Sequence, residues 1–368
     1  ILAMAKGCVI FTDSSINIGG QELQALQQMR ALNAAGWQTQ LLCKPQSAIA
    51  KRALDMGLAA QAIRFRNAFH IPSWIAVYRI IKNRHPNAII CHGSHDAILC
   101  ALLALWMRLA HAIRIPVYRI KTFQHGYPLS FAYNYLFTRT LTPSAYLRSL
   151  FLVNKAIDPK RIEVLYPGID FAKLANTQHA LPQHIAAWLS THPGPVIAHG
   201  AILRGEKGHS VLLHALAIVK RTQPQIRYLI AGEGQDKPLL ENLITQLDLN
   251  DNVLLTGIVE HIAPLLRASD IAVLPSLIEP LGMFQIEAQF LEVPTITSDA
   301  GGIPETIAHE QTGLMVEAGN VDQLAKAILW VLDHPSEAMQ FAKAGKQHVL
   351  EKFSLEANTA QLLRLIGE

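Results

Sequence analysis

The chain has 368 residues, half of them hydrophobic and 16% charged. That length exceeds one ordinary core, and the composition excludes a disordered polymer, so two packed domains are expected. The net charge of +4 hides a division: residues 1–166 carry 19 Lys+Arg against 6 Asp+Glu, and residues 167–368 carry 13 against 22. A basic half joined to an acidic half implies different partners for the two. Cys8, Cys43, Cys91 and Cys100 fall in apolar runs with no CxxC pair, which favours buried reduced thiols and a cytoplasmic setting. The apolar run at 9–11 is too short for a leader peptide, and the run at 97–107 stops at Arg108 before it could span a bilayer.

In chain order, strands are expected at 7–11, 39–43, 60–64, 88–91 and 116–123. Helices separate them at 22–35, 49–57, 74–82 and 97–112. The first helix is read from Leu23, Leu26, Met29 and Leu32 at helical spacing, closed by Gly36. A further strand-to-helix unit begins at 141–144, and a strand follows at 162–165. The segment 167–195 reads as a linker with one or two short helices. The alternation then resumes with strands at 196–201, 228–231, 253–256, 271–274 and 295–297. Alternation of this kind builds parallel sheets covered on both faces, and ligands collect beyond the C-terminal strand ends. The expected architecture is α/β: two doubly wound Rossmann-like domains with a cleft between them.

Polar and glycine-bearing turns follow the strands. Gly19-Gly20 precedes the first helix and lets backbone approach a phosphate. His92, His95 and Asp96 share one turn, at a spacing that matches no familiar metal pattern, and Gln124-His125-Gly126 ends another strand. In the second half, Arg204, Lys207 and Gly208 stand between a strand and a helix, an arrangement that suits an anion. Gly232-Glu-Gly234 and Gly301-Gly302-Ile303-Pro304-Glu305 follow two further strands. The stretch 275–287 joins a strand to a helix through Glu279, Pro280, Leu281, Gly282, Met283 and Phe284, and ends on Glu287. Two carboxylates beside an anion site suit hydroxyl groups, and phosphate with many hydroxyls describes a sugar nucleotide.

These residues resemble a family 4 retaining glycosyltransferase of the glycosyl transferases group 1, with the GT-B fold of two facing Rossmann-like domains and an interdomain cleft. The resemblance spans almost the whole chain. It rests on Glu279-x7-Glu287 with Gly282, Glu206-Lys207-Gly208, the run 301–305, Thr312-Gly313-Leu314, the run 161–170, Gly19-Gly20 and His125-Gly126. The implied division is an acceptor-binding domain at 1–166, a sugar-nucleotide domain at 167–350, and a C-terminal helix at 351–368 returning toward the first domain. The resemblance assigns the nucleotide ribose to Glu287. It assigns the donor sugar and its phosphate to Glu279 and to the backbone of Leu281, Gly282, Met283 and Phe284. Lys207 would take the diphosphate, His125 the donor sugar near the reacting centre, and Gly19, Gly20 and Gly232 the donor side. The family commonly has an Arg five residues before this Lys; here that position is Ile202, with Arg204 two residues later, and Leu281 replaces the usual Phe.

The implied reaction is retaining and metal-independent, with no cofactor and a nucleotide-diphosphate sugar, most commonly a UDP-sugar, as co-substrate. Attack comes from the leaving-group face, and the departing phosphate accepts the acceptor's proton. The acceptor is expected to be a glycan or a lipid-linked molecule of lipopolysaccharide or cell-surface polysaccharide synthesis. Basic residues flanking apolar ones (Arg64, Arg66, Arg79, Lys82 and Arg84 around Phe65, Phe69, Ile71, Trp74, Ile75 and Tyr78) suggest peripheral attachment to an anionic cytoplasmic membrane face. No nucleic-acid motif accompanies the charge. The competing readings are a UDP-sugar 2-epimerase on the same fold and a non-catalytic sugar-nucleotide-binding protein.

Overall fold

The computed structural model describes residues 6–17, 19–124 and 126–367. The chain forms two units. One comprises residues 1–169 with 353–368, and the other residues 170–352. The division falls three residues beyond the expected 166/167 boundary. The last helix, Leu355–Gly367, belongs wholly to the first unit.

The first unit holds a seven-stranded parallel sheet: β1 (Cys8–Asp13), β2 (Gln38–Cys43), β3 (Ala60–Ala62), β4 (Ala88–Cys91), β5 (Val117–Ile120), β6 (Arg139–Thr142) and β7 (Ile162–Val164). Their order is β3-β2-β1-β4-β5-β6-β7. All six residues of β1 are buried. Helices cover both faces, so its apolar run need not alternate. One face packs Val9, Phe11, Leu26 and Met29, and the other Ile10, Val77, Leu99 and Met107. The helix Leu355–Gly367 completes the first of these clusters with Leu362, Leu365 and Ile366. Hydrogen bonds fix it there: Asn358 Nδ2 donates to Tyr166 O (2.6 Å), Gln361 Nε2 to Val164 O (2.6 Å) and Tyr118 Oη to Leu365 O.

The second unit holds β8 (Val196–Gly200), β9 (Arg227–Ala231), β10 (Val253–Gly257), β11 (Ile271–Leu274), β12 (Thr295–Ser298) and β13 (Leu314–Val316). Their order is β10-β9-β8-β11-β12-β13, all parallel. Strand order reverses direction between β1 and β4 in the first sheet and between β8 and β11 in the second. Beyond the C-terminal ends of strands at such a reversal the connecting loops splay apart and leave room for a ligand. Strand β13 was not expected. Its three residues, following Thr312-Gly313, are too short a run to show any period.

Candidate functional site

In the second unit the two loops at the reversal carry the expected charges. The loop after β8 ends in a 3₁₀ turn, Gly205–Lys207, and then Gly208 opens the helix His209–Val219. Gly208 adopts φ +72°, and a Cβ there would run into the carbonyl oxygen of Pro275. Only glycine lets this loop lie against the chain leaving β11. The two loops are stitched together by Leu277 N and Ile278 N, which both donate to Glu206 O (2.8 and 3.3 Å). Lys207 thereby reaches Glu279: Nζ to Oε2 is 2.8 Å, with the side chains 15% and 11% exposed. Ser276 Oγ donates to the same carboxylate oxygen at 3.3 Å.

Arg204 does not join this pair. Its Nε meets Glu206 Oε1 at 3.0 Å on a more exposed surface. Ile202, at the position where the resembled family commonly has an Arg, is an exposed aliphatic side chain. Lys207 therefore stands between the two loops already engaged by one carboxylate, and Arg204 by another.

The segment 279–287 is held from beneath. Gly302 N donates to Glu279 O (2.9 Å), and Gln285 Nε2 donates to Leu281 O (2.8 Å) and Thr306 Oγ1 (3.1 Å). Leu281 is buried, Gly282 turns with φ +85°, and Met283 is half-exposed at the start of the helix Phe284–Phe290. Gly232, with φ +150°, leans on the loop after β8, where a Cβ would meet Ala201 O. These pieces frame a cavity of about 280 Å³, lined by Gly200, Gly232, Ile258, Met283, Phe284 and Glu287 among others. Gly232, Met283, Phe284 and Glu287 thus meet at one place. Burial pushes the Glu287 carboxyl up to about 7. Among the described residues no hydrogen bond offsets that desolvation, and the cavity lining around it is mainly apolar.

Behind Lys207 lies a buried group that sequence reading missed. His199 Nδ1 and Tyr228 Oη are 2.9 Å apart, and the His199 and His209 rings stack at 4.3 Å. Burial first, and then the neighbouring positive charges, hold both imidazoles unprotonated; His209 is pushed down to about 4. A neutral aromatic floor under Lys207 adds no competing charge. His199 sits inside a strand run and Tyr228 in the next, so neither carries a local signal.

In the first unit, Gly19 and Gly20 are exposed at the start of the helix Gly20–Ala34. Gly19 N already donates to Glu22 Oε2 (2.8 Å), so an incoming phosphate would have to displace that carboxylate. His92, His95 and Asp96 do not converge. His92 stacks on Phe11, Asp96 accepts from Thr12 Oγ1 (2.5 Å), and His95 is exposed. His125 lies outside the described residues.

Known proteins with similar sequences and folds bear on this geometry. A model of the glycosyl transferases group 1 matches residues 183–348, and a model of glycosyltransferase family 4 matches residues 18–173. A GDP-mannose-dependent monoacylated alpha-(1-6)-phosphatidylinositol monomannoside mannosyltransferase of Corynebacterium glutamicum is 33% identical over 185 residues, 48% of each protein. A D-inositol 3-phosphate glycosyltransferase of Segniliparus rotundus is 30% identical over 215 residues, 56% of this chain and 47% of that one. The matched region spans about half the length of these relatives. Among solved structures, a glycosyltransferase from Rickettsia africae superposes with a TM-score of 0.85 over 98% of both chains, at 21% identity. Anabaena HepE in complex with UDP superposes at 0.81 over 98% of this chain and 99% of that one, at 17% identity. At such identities the likeness establishes the fold.

Proposed function

This chain belongs to the family 4 glycosyltransferases of GT-B fold, and from that premise we propose that it moves a sugar, with retention, from a nucleoside-diphosphate sugar to a glycan or lipid-linked acceptor. Two observations at the C-terminal strand ends of the second unit carry the reading: the Lys207–Glu279 pair between the loops after β8 and β11, and the cavity of about 280 Å³ with Glu287 in its wall. HepE, a neighbour in fold, has been solved with UDP and with UDP-glucose, which favours a UDP-sugar donor.

On this reading Glu287 accepts hydrogen bonds from the ribose hydroxyls, which restore the ionised form that burial disfavours. Glu279 and the backbone of Leu281 to Phe284 hold the donor sugar and its phosphate. Lys207 turns from Glu279 toward the diphosphate as charge builds on it. Arg204 supplies a second cation if it leaves Glu206, and the resemblance gives His125 and the Gly19-Gly20 turn donor-binding roles. The departing phosphate takes the acceptor's proton, so the protein's part is preorganised charge stabilisation without a resident metal. Losing one such donor typically costs about 10²–10³ in rate.

Attachment to an anionic, cytoplasmic membrane face is part of the proposal. It is supported by Phe69, Ile71 and Ile75, exposed at 75%, 70% and 47% beside Arg66, Arg79 and Lys82. Among the described residues no helix is long and apolar enough to cross a membrane. Cosedimentation with vesicles containing phosphatidylglycerol at low salt is expected, and its absence would refute attachment. The acceptor would be an intermediate of lipopolysaccharide or another cell-surface polysaccharide. The deciding experiment incubates the protein with UDP-, GDP- and ADP-sugars, with and without lipid and glycan acceptors. Acceptor-dependent release of nucleotide with retained anomeric configuration supports the proposal. Product from the sugar nucleotide alone would indicate a 2-epimerase, and binding without turnover a non-catalytic protein.

A further inference from the structure

A second cavity lies in the first unit, at the C-terminal ends of β2 and β3. It measures about 810 Å³, and its lining includes Ile16, Lys44, Arg64, Phe65, Arg66 and His70. Pockets of this size suit a small molecule or the head of a larger one. The lining contains three permanent cations and no carboxylate. Among the described residues none of the three is ion-paired within 4 Å. Asp13, whose carboxyl feels Lys44, is buried at the end of β1 and is not part of the wall.

The arrangement is built rather than incidental. Phe65 is 1% exposed, while Arg64 and Arg66 are both exposed. Phe65 N donates to Ile63 O (2.9 Å), a tight turn centred on Arg64, and with Phe65 buried the flanking Arg64 and Arg66 both line the cavity. The backbone of Arg64 is tied down, since Ser73 Oγ donates to Arg64 O (2.7 Å) and His70 Nδ1 lies 2.8 Å from the same hydroxyl. The opposite wall is tied as well. Ala48 N donates to Ile16 O (3.0 Å), which joins the chain after β2 to the loop that runs on to Gly19. The cavity therefore opens on the sheet edge that carries the Gly19-Gly20 turn. Two planar forks and one mobile ammonium, unpaired and facing one space, match the oxygens of a phosphate better than any neutral group.

We infer that this cavity binds a phosphate monoester or diester, and, resting on the glycosyltransferase reading above, that the phosphate belongs to the acceptor. The sugar acceptor is then an anionic molecule, either a soluble sugar or polyol phosphate or the phosphate of a lipid headgroup.

The test uses the full chain at low salt with two pairs of probes: glucose 6-phosphate against glucose, and phosphatidylcholine vesicles with against without phosphatidic acid. Wild type is expected to bind at least one phosphate-bearing probe and neither neutral counterpart. The Lys44→Ala, Arg64→Ala, Arg66→Ala triple variant is expected to lose roughly tenfold or more in affinity. Binding confined to the hexose phosphate identifies a soluble acceptor; binding confined to the vesicles and lost in the Lys44→Ala, Arg64→Ala double variant, which keeps Arg66, Arg79 and Lys82, identifies a lipid headgroup, and vesicle binding that the double variant retains overturns the inference. The inference is overturned if wild type does not discriminate phosphate from neutral probes, or if the triple variant binds them as wild type does. UDP binding, measured on the same samples, separates the two readings. Wild type that binds phosphate probes but no UDP, GDP or ADP keeps the cavity's assignment and overturns the donor site. Wild type that binds a nucleotide but no phosphate probe does the reverse.

Discussion

Replacing Glu287 by Gln separates what this residue does for the ligand from what it does to the fold. Its carboxyl is raised by burial from 4.5 to about 7 in the folded chain. Below pH 4.5 it is protonated in both folded and unfolded states, and stability is then at its highest with respect to this group. Between 4.5 and 7 the unfolded chain gives up the proton first, so stability falls as pH rises. Above 7 the whole cost of the desolvated carboxylate is present, at most about 3 kcal/mol for a shift of this size at ~1.36 kcal/mol per unit. Glu287→Gln keeps the shape and removes the titration. The variant should therefore be more stable than wild type at pH 8, by up to about 3 kcal/mol, with the gain vanishing toward pH 4.5. In the same variant nucleotide binding should weaken, because hydrogen bonds to a charged group contribute roughly 1.5–3 kcal/mol each, or about 10- to 100-fold in affinity. Urea unfolding from pH 4.5 to 8.5 and calorimetric titration with UDP at pH 8 measure both. Parallel stability profiles for wild type and variant, or unchanged UDP affinity, would refute the reasoning.

Other outcomes follow from the same geometry. Lys207→Ala leaves Glu279 without its partner at 2.8 Å and should lower the rate of sugar transfer by about 10²–10³, while Glu279→Ala should cost rate more than donor affinity; steady-state kinetics with varied donor read both. Gly208→Ala forces a Cβ into Pro275 O at φ +72°; it should destabilise the second unit, whose unfolding midpoint in urea should fall while that of the first unit is unchanged. His209 is pushed down from 6.5 to about 4. The unfolded chain therefore takes up a proton that the folded chain refuses between those values, and His209→Gln should flatten the loss of stability as pH drops from 6.5 to 4. NMR titration should show the His209 ring still neutral at pH 5.5. Deleting residues 355–367 removes Leu362, Leu365 and Ile366 from the core of the first unit and should expose hydrophobic surface there, seen as dye binding.

Much of this architecture was legible in sequence because burial on both sheet faces leaves continuous apolar runs. Two strands, Ala88–Cys91 and Ile271–Leu274, have the expected bounds. The glycine turns were legible because each follows such a run. The Lys207–Glu279 pair was not, since the two residues are 72 apart and meet only through the order β8-β11, which no local pattern encodes. The engagement of Arg204 by Glu206 depends on the 3₁₀ turn Gly205–Lys207 that Arg204 precedes and Glu206 belongs to. The His199, His209 and Tyr228 group is assembled from two strands and a helix start. For the domain boundary, the helix Leu355–Gly367 was expected to return toward the first domain, but its polar contacts to Tyr166 and Val164 emerge only in three dimensions. The cations Arg64 and Arg66 were visible as charge. That they line a cavity follows from Phe65 anchoring the segment, which sequence does not fix.

On the proposed function, a nucleotide sugar binds the second unit at the reversal between β8 and β11. Hydrogen–deuterium exchange on the full chain, with and without UDP-, GDP- and ADP-sugars, tests it directly. At least one donor should slow exchange in peptides covering 200–208 and 279–287, and Glu287→Ala should abolish that protection at equal donor concentration. Protection confined to other segments of the second unit, or none from any donor, would contradict it.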